Sequence, residues 1–164
     1  MKREFPILYE KASVWIAIPF LWVAAVFYAQ KLYQQPTPET YSVGITAFGV
    51  TAALSGICFA MAPVCDRDSH TAKYAGEKFL HASLLLVQSF MVLYIRDAAL
   101  TLDWIHAHPA MALGVKLIAM CVLLLVITAA TWTWQHGLAK LNALLWANWK
   151  RRIQEINAAG QKDI

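Results

Sequence analysis

The residues able to do chemistry in this chain are few, and long apolar stretches separate them. The segment DWIHAH places Asp103, His106 and His108 within six positions. Two imidazoles and a carboxylate suit zinc or copper, which take nitrogen and oxygen ligands. The competing reading is a polar loop ahead of Pro109 that holds no metal. Glu77 and His81 stand four residues apart, so a helix puts them on one face. A diiron carboxylate site needs Glu-x-x-His units and further glutamates. Here the spacing differs and the other carboxylates are missing, which leaves an ordinary contact of Glu77 with His81 or Lys78. His81 and His136 form another pair, able to offer two axial imidazoles to a b-type haem if their helices are adjacent and antiparallel. His136 precedes Gly137 near water, and no second pair would carry electrons across. The expectation is therefore no cofactor, with haem b as the alternative.

The charged residues Arg96, Asp97, Asp103 and Lys116 fall toward the ends of apolar blocks. Ionisable groups at membrane depth are costly and usually pair or face a polar cavity. Lys116 is expected either to snorkel outward or to pair with Asp97 or Asp103, stitching two helices or ringing a pore mouth. No apolar block carries a central Asp or Glu, which argues against a proton-coupled exporter. Of the three cysteines, Cys58 and Cys121 lie inside apolar blocks and Cys65 at the end of one. None makes a CxxC, so disulfide chemistry is excluded and packing is the expected role.

The elements that position these groups follow from composition. The 164-residue chain is 59% hydrophobic and 15% charged, with a mean hydropathy of +0.48. A soluble domain carries roughly 25% charged residues. A soluble enzyme, a nucleic-acid-binding domain and a disordered tail are therefore excluded, despite the net charge of +4. Four blocks, at about 13–33, 42–64, 79–100 and 110–134, each have the roughly 20 residues needed to cross a hydrocarbon core of about 30 Å. The fold class is all-α: an integral membrane four-helix bundle over residues 1–134, followed by a cytoplasmic amphipathic helical tail over 135–164.

Basic residues set the orientation. Lys2, Arg3, Lys11, Arg67, Lys73, Lys78, Lys140, Lys150, Arg151, Arg152 and Lys162 share one side, against Lys31, Arg96 and Lys116 on the other. Positive residues remain cytoplasmic, so both termini are expected inside, in a bacterial inner membrane. Trp15, Trp132 and Trp134 fit the inner interface, and Tyr28, Tyr33, Tyr41, Tyr94 and Trp104 the outer one. The first block, although preceded by cations, is too long for a signal-peptide core and is expected to be retained.

Two segments carry the functional expectations. The second block is rich in small and hydroxyl residues, which allow close helix approach and bonding between helices. It reads either as a central packing helix or as a pore-lining helix in an oligomer, with Thr46, Thr51 and Ser55 facing water. In the tail, Leu138, Leu141, Leu145, Trp149, Ile153 and Ile156 recur every three or four residues around the basic run Lys150, Arg151 and Arg152. That stripe suits the inner leaflet, self-association or a docking partner. No Walker loop, GxSxG, HExxH or internal repeat occurs. The leading expectation is a non-enzymatic homo-oligomeric pore lined by the second block with Arg96, Asp97 and Lys116. The alternatives are an accessory or anchoring subunit of a larger membrane complex, and a haem-binding redox subunit.

Overall fold

The structure, a computed structural model, describes residues 5–34, 37–65 and 68–160, with side chains from residue 18 onward except at positions 106, 157, 159 and 160. The side chains of Lys2, Arg3, Lys11, Trp15, Asp66, Arg67, His106 and Lys162 lie outside that set. Among the described residues the chain is helical and has no strand. In chain order the helices are α1 (Phe5–Gln34), α2 (Pro38–Met61), α3 (Ser69–Leu100), the four-residue α4 (Asp103–His106) and α5 (Pro109–Gly160). A 3-10 turn, Ala62–Val64, follows α2.

Local sequence explains the boundaries. Thr37 caps α2, its hydroxyl oxygen accepting from the Thr40 amide at 3.3 Å. Pro38 follows at the first helical position, where its missing N–H costs nothing, and Glu39 meets the positive end of the helix dipole. Pro63 lies in the turn that closes α2, and Pro109 opens α5. Pro19 sits inside α1 without ending it.

By length and composition α2, α3 and α5 are each able to cross a membrane, which fits an integral membrane protein. Their surfaces agree: Ile45, Ile95, Ile118 and Leu125 are all more than 60% exposed. A water-facing surface this rich in large apolar side chains would drive association, whereas lipid tails solvate it.

Two boundaries differ from the sequence expectation. Helix α3 begins at Ser69, ten residues before the expected span, so most of the supposed inner loop is helical. The expected break at 134/135 is absent, because α5 runs unbroken through Gln135, His136 and Gly137 for 52 residues. At 1.5 Å per residue that is about 78 Å, well over twice the roughly 30 Å of a hydrocarbon core. Gly137 is a contact point within this helix, since a Cβ there would sit 3.1 Å from the Phe79 ring.

The packing centres on α3, which lies against α5 and α2, while α1 leans mainly on α5. Three buried clusters follow one another along this framework. Ala29, Leu32, Leu93, Leu123 and Ile127 join α1, α3 and α5. Cys58, Ala75 and Phe79 form the next with Trp134 and Leu138 beside them. Ala62, Cys65, Ala72 and Leu144 form the last. The small residues Ala72, Ala75 and Gly76 on α3 admit this close approach.

Candidate functional site

Helix α2 has two unlike faces. Gly44, Thr51, Ser55 and Cys58 point inward and are buried. The Ser55 hydroxyl donates to the Gly76 carbonyl of α3 at 2.8 Å, a direct bond between helices. The Thr51 hydroxyl donates to Ala47 of its own helix at 2.6 Å. A Cβ on Gly44 would overlap the Tyr28 hydroxyl and the tip of the Phe90 ring, so this glycine is what lets α1 and α3 side chains meet over α2. The opposite face presents Ser42, Thr46, Gly49, Ala53, Gly56 and Ala60, all exposed. Their steps of four, three, four, three and four residues place them on one stripe. A Cβ at Gly49 or Gly56 would meet nothing within 4 Å. Thr46 belongs to this outer stripe, with its hydroxyl donating to Ser42 at 2.8 Å. The three hydroxyl residues expected on one pore-facing side are thus divided: five residues separate Thr46 from Thr51, about 140° around a helix.

Because α1 leans on α5 and α2 on α3, the first two helices barely meet. Between them opens a cavity of about 390 Å³ lined by Tyr28, Ala47, Thr51, Ala82, Ile127 and Trp134 among others. The Tyr28 hydroxyl is buried with no hydrogen-bond partner among the described residues.

The charged cluster is organised around Arg96, whose side chain is only 10% exposed. Its Nε donates to Asp97 Oδ1 at 2.8 Å and its NH1 to the Tyr33 carbonyl near the end of α1 at 3.1 Å. The guanidinium also lies 5.2 Å from the Tyr33 ring centre, and the Tyr33 hydroxyl donates to the Lys116 carbonyl at 3.0 Å. This junction ties α1, α3 and α5 together. A cation at a helix C-terminus is electrostatically favourable, and the guanidinium fork satisfies two acceptors at once. The partner expected for Lys116 does not materialise: among the described residues its ammonium makes no ion pair with Asp97 or Asp103, and the residue contributes a backbone carbonyl.

The histidines are not brought together. Phe79, rather than His81, packs against α5, and His81 lies about 200° further round α3, exposed. His136 Nδ1 bonds the Trp132 carbonyl at 2.9 Å. His108 Nδ1 bonds the Trp104 carbonyl at 2.8 Å. Among the described residues no three His, Cys, Asp or Glu side chains converge as a metal site would need, and the His106 side chain is not described.

On the far part of α5 the expected stripe also divides. Leu138 and Leu141 pack inward against the clusters around Phe79 and Ala72, alongside the fully buried Leu144. Leu145 and Trp149 are about half exposed, as are Lys150 and Arg152 at the surface. Arg151 turns to Asp68 as an ion pair and to Asn148 Oδ1 at 2.9 Å. Sequence reasoning missed Tyr28, Tyr33, Gly44, Asp68 and Leu144. For Leu144 the signal was available, because Leu141, Leu144 and Asn148 share the inward spacing of a helix.

No known protein family, curated protein or solved structure matches the chain. The functional reading therefore stands on geometry alone.

Proposed function

We propose that the chain is a structural membrane subunit: a four-span, non-enzymatic bundle in a bacterial inner membrane that self-associates through the outer face of α2. Both termini lie on the basic, cytoplasmic side, and α5 projects there as an anchored stalk. The observation that carries this reading is the stripe Ser42, Thr46, Gly49, Ala53, Gly56 and Ala60, small along its whole length and covered by nothing. In lipid no hydrophobic force drives helices together, so close packing of small residues supplies the attraction. The average step of 3.5 residues is that of a left-handed helix pair. A Leu or Phe would solvate better in lipid at these positions, so their smallness favours a helix partner.

Assembly comes ahead of conduction in this reading. Thr51 and Ser55 are turned into the bundle with their hydroxyls satisfied, and Arg96 is engaged with Tyr33 and Asp97. A haem role gains no support from histidines that face different ways.

Cysteine cross-linking in native membranes tests the proposal. With the three native cysteines replaced, Ala53→Cys should give a disulfide-linked dimer under mild oxidation, while Leu125→Cys on the exposed face of α5 should not. Equal cross-linking at both positions, or none at Ala53→Cys, Gly49→Cys and Gly56→Cys, overturns it.

A further inference from the structure

Helices α3 and α5 bring two lysines to one aromatic ring. Lys78 Nζ lies 5.0 Å from the centre of the Tyr74 ring, and Lys140 Nζ lies 5.8 Å from the same centre. Among the described residues neither ammonium pairs with a carboxylate. Two like charges held close without a counter-charge repel one another, and the ring face offsets only part of that cost. An anion placed between them removes it.

The chain direction explains why these two side chains converge. Side chains lean toward the N-terminus of their own helix. Helix α3 runs toward the bundle interior from Ser69, so Lys78 leans back over Tyr74, one turn earlier. Helix α5 runs the opposite way, so Lys140 leans toward the bilayer. Lys78 borders the apolar stretch of α3, and Lys140 lies six residues beyond that of α5, about 9 Å along the axis. The polar zone on each side of a bilayer is roughly 5–8 Å deep, within reach of a lysine stem from either position. Phe79, Trp134 and Gly137 close the wall on the membrane side of the ring.

We propose that Lys78, Lys140 and Tyr74 form a binding site for the phosphate of an anionic lipid headgroup, at the basic end of the bundle between α3 and α5. The phosphate oxygens accept from both ammoniums and from the Tyr74 hydroxyl. The acyl chains lie against the exposed apolar surface of the helices. The site rests on the membrane reading above and gives that reading a lipid class. A neutral headgroup does not compensate the two charges, because its own cation opposes them. Basic side chains between helices on the cytoplasmic side are the usual way such lipids are held, each worth about 1 kcal/mol, or roughly fivefold in affinity.

The test uses the full chain in a mild non-ionic detergent, with binding followed by native mass spectrometry. The probes are dioctanoyl phosphatidylglycerol, dioctanoyl phosphatidylcholine and inorganic phosphate. The phosphatidylglycerol should bind, about fivefold more weakly to Lys78→Gln or Lys140→Gln and roughly 25-fold more weakly to the double variant. Lys150→Gln with Arg152→Gln removes the same net charge at the end of α5 and should leave binding unchanged. Tyr74→Phe keeps the ring and should lose less than Tyr74→Leu. Equal loss in the α5-end pair, or undiminished binding by the Lys78 and Lys140 double variant, overturns the site. Inorganic phosphate binding as tightly as the lipid overturns the lipid assignment, as does phosphatidylcholine doing so. Circular dichroism confirms that each variant is folded. Alkaline carbonate extraction of the wild-type chain reports separately on the membrane reading: a chain that stays in the pellet but binds no phosphatidylglycerol refutes this site alone.

Discussion

At the scale of single residues, two glycines on the same helix make a controlled pair. Gly44 faces the Tyr28 hydroxyl and the Phe90 ring with no room for a Cβ, whereas Gly56 faces open space. Gly44→Ala should cost about 1–3 kcal/mol through overpacking. Gly56→Ala should cost nothing in the monomer and gain about 0.5–1 kcal/mol from the lower backbone freedom of alanine. Unfolding in detergent micelles by added dodecyl sulfate measures both, and similar values for the two would contradict the placement of α1 over α2. Arg96 gives a second prediction. Removing its guanidinium in Arg96→Met leaves the Tyr33 carbonyl and the Asp97 carboxylate short of a donor, at about 1–3 kcal/mol. Arg96→Lys should recover little, because one ammonium cannot reproduce the fork that serves both acceptors. Full recovery by lysine, read in the same unfolding assay, would reduce the junction to simple charge. From sequence the charges around Arg96 could be seen, but not that Tyr33 would be their partner. That contact joins residues 63 positions apart, and nothing in local spacing encodes it.

At the scale of elements, apolar content and helix length proved to be different quantities. The apolar stretches of α2, α3 and α5 could be read directly, because each residue in lipid must be apolar whatever it touches. The ends of α3 and α5 could not, because hydropathy stops where lipid stops and a helix stops where its packing does. Gln135, His136 and Gly137 look like a terminus. The helix nevertheless continues because Leu141 and Leu144 have Ala72 and Cys65 to bury against. This makes the far part of α5 two segments with different roles. Truncation after Arg152 removes residues that no other element covers and should leave the melting temperature within about 2 °C. Truncation after Lys140 strips Leu141 and Leu144 from the α3 contact. Loss of two buried leucines at about 2–5 kcal/mol each should lower the melt sharply. A large drop from the shorter deletion would mean that residues 153–160 pack on something within the chain. The Arg151–Asp68 pair, part exposed on both sides, adds no more than about 1 kcal/mol, so it cannot account for such a drop.

At the scale of the whole molecule, the sequence and the structure meet in one geometric consequence. Helices α3 and α5 run antiparallel with Ser69 and Arg151 at the same end, since Asp68 and Arg151 form an ion pair. That end gathers Lys73, Lys78, Lys140, Lys150, Arg151 and Arg152, while the opposite end shows Lys31, Arg96 and Lys116. A membrane crossed by this chain must therefore keep Lys73 and Lys150 on one side and Thr101 on the other. The charge bias makes the first side cytoplasmic. With the native cysteines replaced, Lys73→Cys and Lys150→Cys should resist a membrane-impermeant maleimide in intact cells and react after the membrane is opened. Thr101→Cys should react from outside without opening. Reaction of Lys73→Cys and Lys150→Cys from outside with Thr101→Cys protected would invert the topology. That result would place the Lys78–Tyr74–Lys140 cluster on the outer leaflet, where anionic headgroups are scarcer. Opposite behaviour of Lys73→Cys and Lys150→Cys is the outcome the folded chain cannot produce, because one ion pair and one buried cluster hold their two helices side by side at that end.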